Sequence, residues 1–285
     1  MSLSLVHSPP IAPVWAAAPI GRAAVRALYA ELALHPKPGL VSPLDSGSHD
    51  DMDMTTFMRS LFALRGYYRD IAAAGARGAD FATLQALGIA AERRMLAATG
   101  GINTHRGAVF GLGLLAAAAG WLHRTGKPRG GRALGEAVAT LWGRDILTAP
   151  QAPDSHGARV IRRYGARGAR QEAAEGFPTL FAVALPTLAR TLDLLGCAER
   201  AMVQTLFVLM AALDDTNLLH RGGPAGLTFV QAEAQRFLDR GGVFQPRWRA
   251  EALALHDACI ARRLSPGGSA DMLAAAWFVH SQQNA

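Results

Sequence analysis

The chain has 285 residues, half of them hydrophobic and 18% charged, a balance that supports a substantial buried core and excludes a disordered protein. Its formal charge is +7, from 29 Lys and Arg of which only Lys37 and Lys127 are lysines, against 22 Asp and Glu. That surplus suits nucleic acid or a polyphosphate substrate equally, so charge alone does not choose the partner. Cys197 and Cys259 have neither disulfide nor zinc spacing and read as reduced thiols. The N-terminus lacks a basic leader and is broken by prolines, which points to a cytoplasmic protein.

Residues 1–19 are expected to form a flexible segment ahead of a single all-α domain over 20–285. Ile20, Ala24, Leu28 and Leu32 predict a helix from Ile20 to Leu34, ended by His35-Pro36. The next stretch, HPKPGLVSPLDSGSHDDMD, cannot be helix, because Pro36 and Pro38 fix φ and push the preceding residues out of the α region. A helix is predicted from Met54 to Ala74, with Met54, Phe57, Met58, Leu61 and Phe62 on one face. Asp50, Asp51 and Asp53 therefore sit where a rigid loop enters a helix, beside Asp45, Lys37 and His49. Carboxylates suit a first helical turn, but one or two would serve. Three within four positions read as a site.

Phe81 to Ala98 is the next predicted helix. GGINTHRG follows, where Asn103 or Thr104 can cap the coming helix and leave His105 and Arg106 beside free backbone N–H groups, an anion site by geometry. The uncharged run Gly107 to Leu122 is too short and too rich in Gly and Ala for a membrane span, so Val109 to Trp121 is expected to be a buried central helix. Arg132 to Leu147 is amphipathic. Asp154 to Gly176 holds Arg159, Arg162, Arg163, Arg167 and Arg170, and Gly165 and Gly168 suggest a glycine-hinged loop whose guanidinium forks match phosphate. Pro178 to Leu195 should be helical with a kink at Pro186, and Ala201 to Leu213 is apolar almost all round.

LDDTNLLHRGG follows that apolar helix. If the helix ends at Leu213, Asp214 and Asp215 lie at the negative end of its dipole, an arrangement a bound cation would relieve. Removing either charge should then cost the fold little. Asn217, His220 and Arg221 follow as substrate candidates. Helices over Phe229 to Leu238, Trp248 to Arg263 and Ala270 to His280 complete the set, the last preceded by SPGGSAD with Ser269 as its expected cap. No strand alternation, dinucleotide fingerprint, P-loop or repeat is present. The residues alone point to a Mg²⁺-dependent all-α enzyme acting on a phosphorylated ligand.

Five motifs, PKPGLVSPLDSGSHDDMD, GGINTHRG, YGARGARQEAAEGFP, LDDTNLLHRGG and SPGGSAD, together resemble the triphosphoribosyl-dephospho-CoA synthase family, from about Glu31 to the C-terminus and in the same order. Their wording is similar to the malonate decarboxylase branch rather than the citrate lyase branch. The resemblance implies an all-helical enzyme that moves the triphosphoribosyl group of ATP to the 2′-hydroxyl of 3′-dephospho-CoA and releases adenine. It also implies a later enzyme, a phosphoribosyl-dephospho-CoA transferase, that attaches the product to an acyl carrier subunit. On that reading Asp50, Asp51, Asp53, Asp214 and Asp215 are catalytic candidates, and Asp51, Asp53, Asp214 and Asp215 would hold Mg²⁺. Lys37, His49, Asn103, His105, Arg106, Arg163, Arg170, Asn217, His220, Arg221 and Ser269 would bind substrate. Neither nucleic acid nor membrane is expected as a partner, and a homodimer stays open. A prenyl-transfer enzyme is disfavoured because the first cluster reads DDxD and not DDxxD. A basic RNA-binding protein fits the charge but not the carboxylate clusters, and a hydrolase of a nucleotide N-glycosidic bond is the other alternative.

Overall fold

Apolar residues recurring at helical spacing, with no β-branched alternation to compete, leave the chain one way to bury its core, as packed helices. The computed structural model describes residues 17–150 and 156–283, and its regular elements are all helical. They are α1 (Ala17–Ala33), α2 (Met54–Ala76), α3 (Phe81–Ala98), α4 (Arg106–Arg124), α5 (Ala133–Thr148) and α6 (His156–Tyr164). α7 (Ala169–Ala174), α8 (Leu185–Leu195), α9 (Ala198–Ala212), α10 (Thr216–Asp239), α11 (Trp248–Ala261) and α12 (Gly267–Gln283) follow. Of the segment expected to be flexible, residues 1–16 lie outside the described residues, and 17–19 open α1 with Ala17 buried.

α4 is the central helix that the uncharged run predicts. Ala116 to Ala119 are wholly buried, and α4 packs against α1, α2, α5 and α12. Small residues let α2 and α4 approach backbone to backbone. A Cβ on Gly75 would fall 2.0 Å from the Ala117 carbonyl oxygen, and one on Gly120 would fall 2.0 Å from that of Ala72. Either substitution would force the two helices apart and open the core around them.

Proline and glycine account for the departures from the predicted elements. The helix expected over Pro178 to Leu195 begins with a π-helical turn, Leu180–Ala184, and α8 then starts with Pro186 in its first turn. The wider turn absorbs the carbonyl that the ring would strike, so the kink becomes a π-bulge. The basic stretch is not one loop. Gly165, with φ 66°, and Gly168 separate α6 from α7, and most of the arginines sit on these short helices. The helix expected over Phe229 to Leu238 starts earlier, at Thr216, and includes HRGG. α10 continues through it with a break at Gly223 (φ 61°, ψ −164°) ahead of Pro224. Among the described residues no single helix is long and apolar enough to cross a membrane.

Candidate active site

The proline-rich loop between α1 and α2 is tied to distant parts of the chain. Gly39 (φ +68°) lies so close to Leu264 that a Cβ would fall 2.1 Å from its carbonyl oxygen, so both space and backbone require glycine. Ser48 Oγ donates to the Leu264 carbonyl at 2.6 Å, and Asp45 Oδ1 is 3.2 Å from His256 Nε2. Arg221, on α10, donates to the carbonyls of Ser48 at 3.0 Å and Arg263 at 3.2 Å, and to His49 Nδ1 at 2.9 Å. Arg has no lone pair to offer, so Nδ1 accepts and the ring proton sits on Nε2, which meets Ser265 Oγ at 2.9 Å. Burial, and then Arg221, push the His49 pKa down to about 4, so the ring is neutral. Asp50 and Asp51 stand exposed beside this knot, each 3.8 Å from a cation-capable partner, Arg263 and His49 respectively.

Asp215 corrects the dipole reasoning. α9 ends at Ala212, Asp214 is exposed in the link, and Asp215 is the N-cap of α10, at a positive helix end. Its Oδ1 accepts from the amides of Asn217 (2.9 Å) and Leu218 (3.4 Å). Its Oδ2 accepts from the amide (2.8 Å) and hydroxyl (3.0 Å) of Ser269. The buried carboxylate therefore clamps the starts of α10 and α12 with its acceptor sites full. Ser269 is not an N-cap but the third residue of α12, serving as Asp215's partner. Asn217, exposed, lies against Gly267 on the same seam.

Next to this clamp is a carboxyl that the sequence reading passed over. Asp271 is half-buried as a residue, with its carboxyl enclosed against the start of α4. A Cβ at residue 107 would fall 1.9 Å from Asp271 Oδ2, and the carboxyl accepts from the Ala108 amide. Burial first, then Glu31 and Asp215, hold its pKa well above the carboxylate range. The signal was present in the sequence. Asp271 closes the SPGGSAD motif, and Glu31 is an acid three residues beyond Leu28 on the buried stripe of α1.

The remaining candidates divide by what their side chains already do. Lys37 is 1% exposed and gives its ammonium to Glu31, to Oε1 at 2.7 Å and to the carbonyl at 2.8 Å, so it binds the fold and not a phosphate. His105 is buried, with Nδ1 2.6 Å from Ser60 Oγ and Nε2 without a partner, and burial, then Lys37, push its pKa down to about 3. Arg170 donates to the carbonyls of Ile146 and Ala149 and so caps the end of α5, a structural task that takes it off the phosphate set. Asp53 caps α2 through Thr56 at 2.8 Å, and Arg106 pairs with Glu92 at 3.0 Å while Asn103 accepts from the Arg106 amide. Arg163 is exposed near the Tyr164 ring, and Tyr164 packs toward Gly223, which brings the YGARGARQEAAEGFP motif to the break in α10 two residues after Arg221. His220 is exposed one residue before Arg221.

Four motif loops thus meet around the starts of α2, α4, α10 and α12, with exposed carboxylates, Arg221 and an enclosed acid. On a fold whose described elements are all helical, these are the parts of a helical transferase. The chain belongs to the ATP:dephospho-CoA triphosphoribosyl transferase family, whose model matches residues 17–285. It is 44% identical over 264 residues to the 2-(5''-triphosphoribosyl)-3'-dephosphocoenzyme-A synthase of Klebsiella pneumoniae, covering 89% of this chain and 87% of that one. It is 40% identical over 254 residues to a probable synthase of the same name from Acinetobacter calcoaceticus, again covering 89% and 87%. No solved structure matches the chain.

Proposed function

We propose that this chain transfers the triphosphoribosyl group of ATP to the 2′-hydroxyl of 3′-dephospho-CoA, releasing adenine. The product would serve as the prosthetic-group precursor for the acyl carrier subunit of a malonate decarboxylase. Family membership supports the transfer, and the motif wording supports the malonate branch. The observation that carries the location of the site is the knot at Arg221, which joins the DDMD loop, the DDTN helix start and the SPGGSAD turn through His49 and Ser265.

The donor set decides how far magnesium fits. Among the described residues no three His, Cys, Asp or Glu are placed to hold a metal ion by themselves. Asp215 has no acceptor capacity left, and one oxygen of Asp53 is occupied by Thr56. Asp51 and Asp214 remain as exposed carboxylates, which suits Mg²⁺, an ion usually held by one or two carboxylates with phosphates and water completing its shell. When bound, Mg²⁺ would neutralise triphosphate charge. Arg163, exposed near the break in α10, would grip the phosphates, and Arg221 would hold the loops around them.

Chromatography of the nucleotides after incubation with ATP, Mg²⁺ and 3′-dephospho-CoA is the test. Free adenine should form only when dephospho-CoA is present. Equal adenine without it would mean a hydrolase, and ADP or pyrophosphate as main product would overturn the assignment. Deleting the gene in its host should abolish growth on malonate and spare growth on citrate.

A further inference from the structure

The carboxyl of Asp271 meets the amide of Ala108 at the start of α4. It occupies the space a side chain at residue 107 would need, so the last glycine of GGINTHRG and the last aspartate of SPGGSAD exist as a pair. The groups around it come from every helix packed there. Glu31 faces it from α1, with its own charge taken up by Lys37, and Asp215 faces it from the start of α10. From α2 comes Tyr68, whose wholly buried hydroxyl has no hydrogen-bond partner and whose pKa is raised by burial, then by Tyr67 and Asp271. A phenol left unpaired in a core is costly, and a bound ligand would relieve it. Burial, with two acids and a phenol around the carboxyl, favours its protonated form.

We propose that Asp271 is a catalytic acid of this enzyme, its carboxyl delivering a proton to a ring nitrogen of the departing adenine. The C1′–N9 bond breaks with its electron pair leaving on the base, and the Asp271 proton moves to that base. The 2′-oxygen of dephospho-CoA bonds C1′ and its proton passes to water, from which Asp271 is reprotonated. The step rests on the activity proposed above. It assigns a task to a carboxyl near the site whose burial favours the neutral form.

The test compares ATP with a nitrophenyl riboside 5′-triphosphate, whose leaving group departs without a proton. In the wild type, turnover of ATP should fall as pH rises and Asp271 loses its proton, and turnover of the nitrophenyl compound should not. Asp271→Asn should melt like the wild type and keep KM for ATP within about threefold. Its adenine release should slow ~10²–10⁴-fold, with a loss under about tenfold on the nitrophenyl compound. Equal losses on both substrates, or the same alkaline fall with both in the wild type, would overturn the proposal. If the variant does not fold, the wild-type comparison decides alone. Wild-type protein that cleaves the nitrophenyl compound but yields no adenine from ATP at any pH would overturn the nucleotide activity itself.

Discussion

Replacing Asp215 by Asn should weaken the fold substantially, the reverse of what its place in the sequence suggests. The carboxylate takes four donors, the amides of Asn217 and Leu218 on one oxygen and the amide and hydroxyl of Ser269 on the other. An amide side chain has one oxygen, so its NH₂ must face one of these donor pairs. At least one strong bond is lost on either orientation, and the survivors no longer meet a charge. Hydrogen bonds to charged groups contribute about 1.5–3 kcal/mol each, and a donor stranded in the core costs about 1–3 kcal/mol. Relief from burying a charge offsets part of this, leaving a net loss of about 3 kcal/mol. In a chain of this size that lowers Tm by roughly 6–12 °C. Ser269→Ala removes only the hydroxyl bond and should cost about 1 kcal/mol. Because the two residues touch, the double variant should lose less than the sum, with a coupling of about 0.5–3 kcal/mol. Urea unfolding followed by tryptophan fluorescence, on the five tryptophans of the chain, measures all four proteins. An Asp215→Asn midpoint equal to wild type, with zero coupling, would refute the clamp and return Asp215 to the metal ligands.

Lys37→Met should destabilise by about 3–5 kcal/mol because it strands Glu31 in the core, and adding Glu31→Gln should recover most of that in the same unfolding assay. The folded pKa of His105, about 3 against 6.5 unfolded, gives stability that is complete above pH 6.5 and lost as pH falls toward 3. At about pH 4.5 the loss is about 3 kcal/mol, and His105→Gln should flatten the measured slope by about one proton, whereas an unchanged slope would place the acid sensitivity elsewhere. Arg170→Ala should lower the melting temperature without moving KM for ATP, because it loses only the α5 cap. Arg163→Ala should do the opposite, raising KM several-fold at constant kcat in the adenine-release assay.

Much of this protein is local physics and so was readable from sequence. Pro36 and Pro38 forbid helix over the first motif, Asp80 and Asp53 cap helices that begin one residue later, and α3 keeps its predicted bounds, Phe81–Ala98. The Ala- and Gly-rich run announces the buried α4 because only small residues permit backbone contact on several sides. What each ionisable group does was decided by packing across the chain. Asp214 and Asp215 are adjacent in sequence, yet one is exposed and the other is saturated by Ser269, 54 residues away. Lys37 looks like a phosphate ligand until α1 supplies Glu31, and Arg170 looks like one until the end of α5 supplies its carbonyls. Asp271 is unremarked in a motif of small residues until α4 is laid against α12 and its carboxyl fills the gap at Gly107. Periodicity and turn chemistry act over a few residues and set the helices. Desolvation and hydrogen-bond saturation depend on which helices touch, and only the tertiary structure decides that.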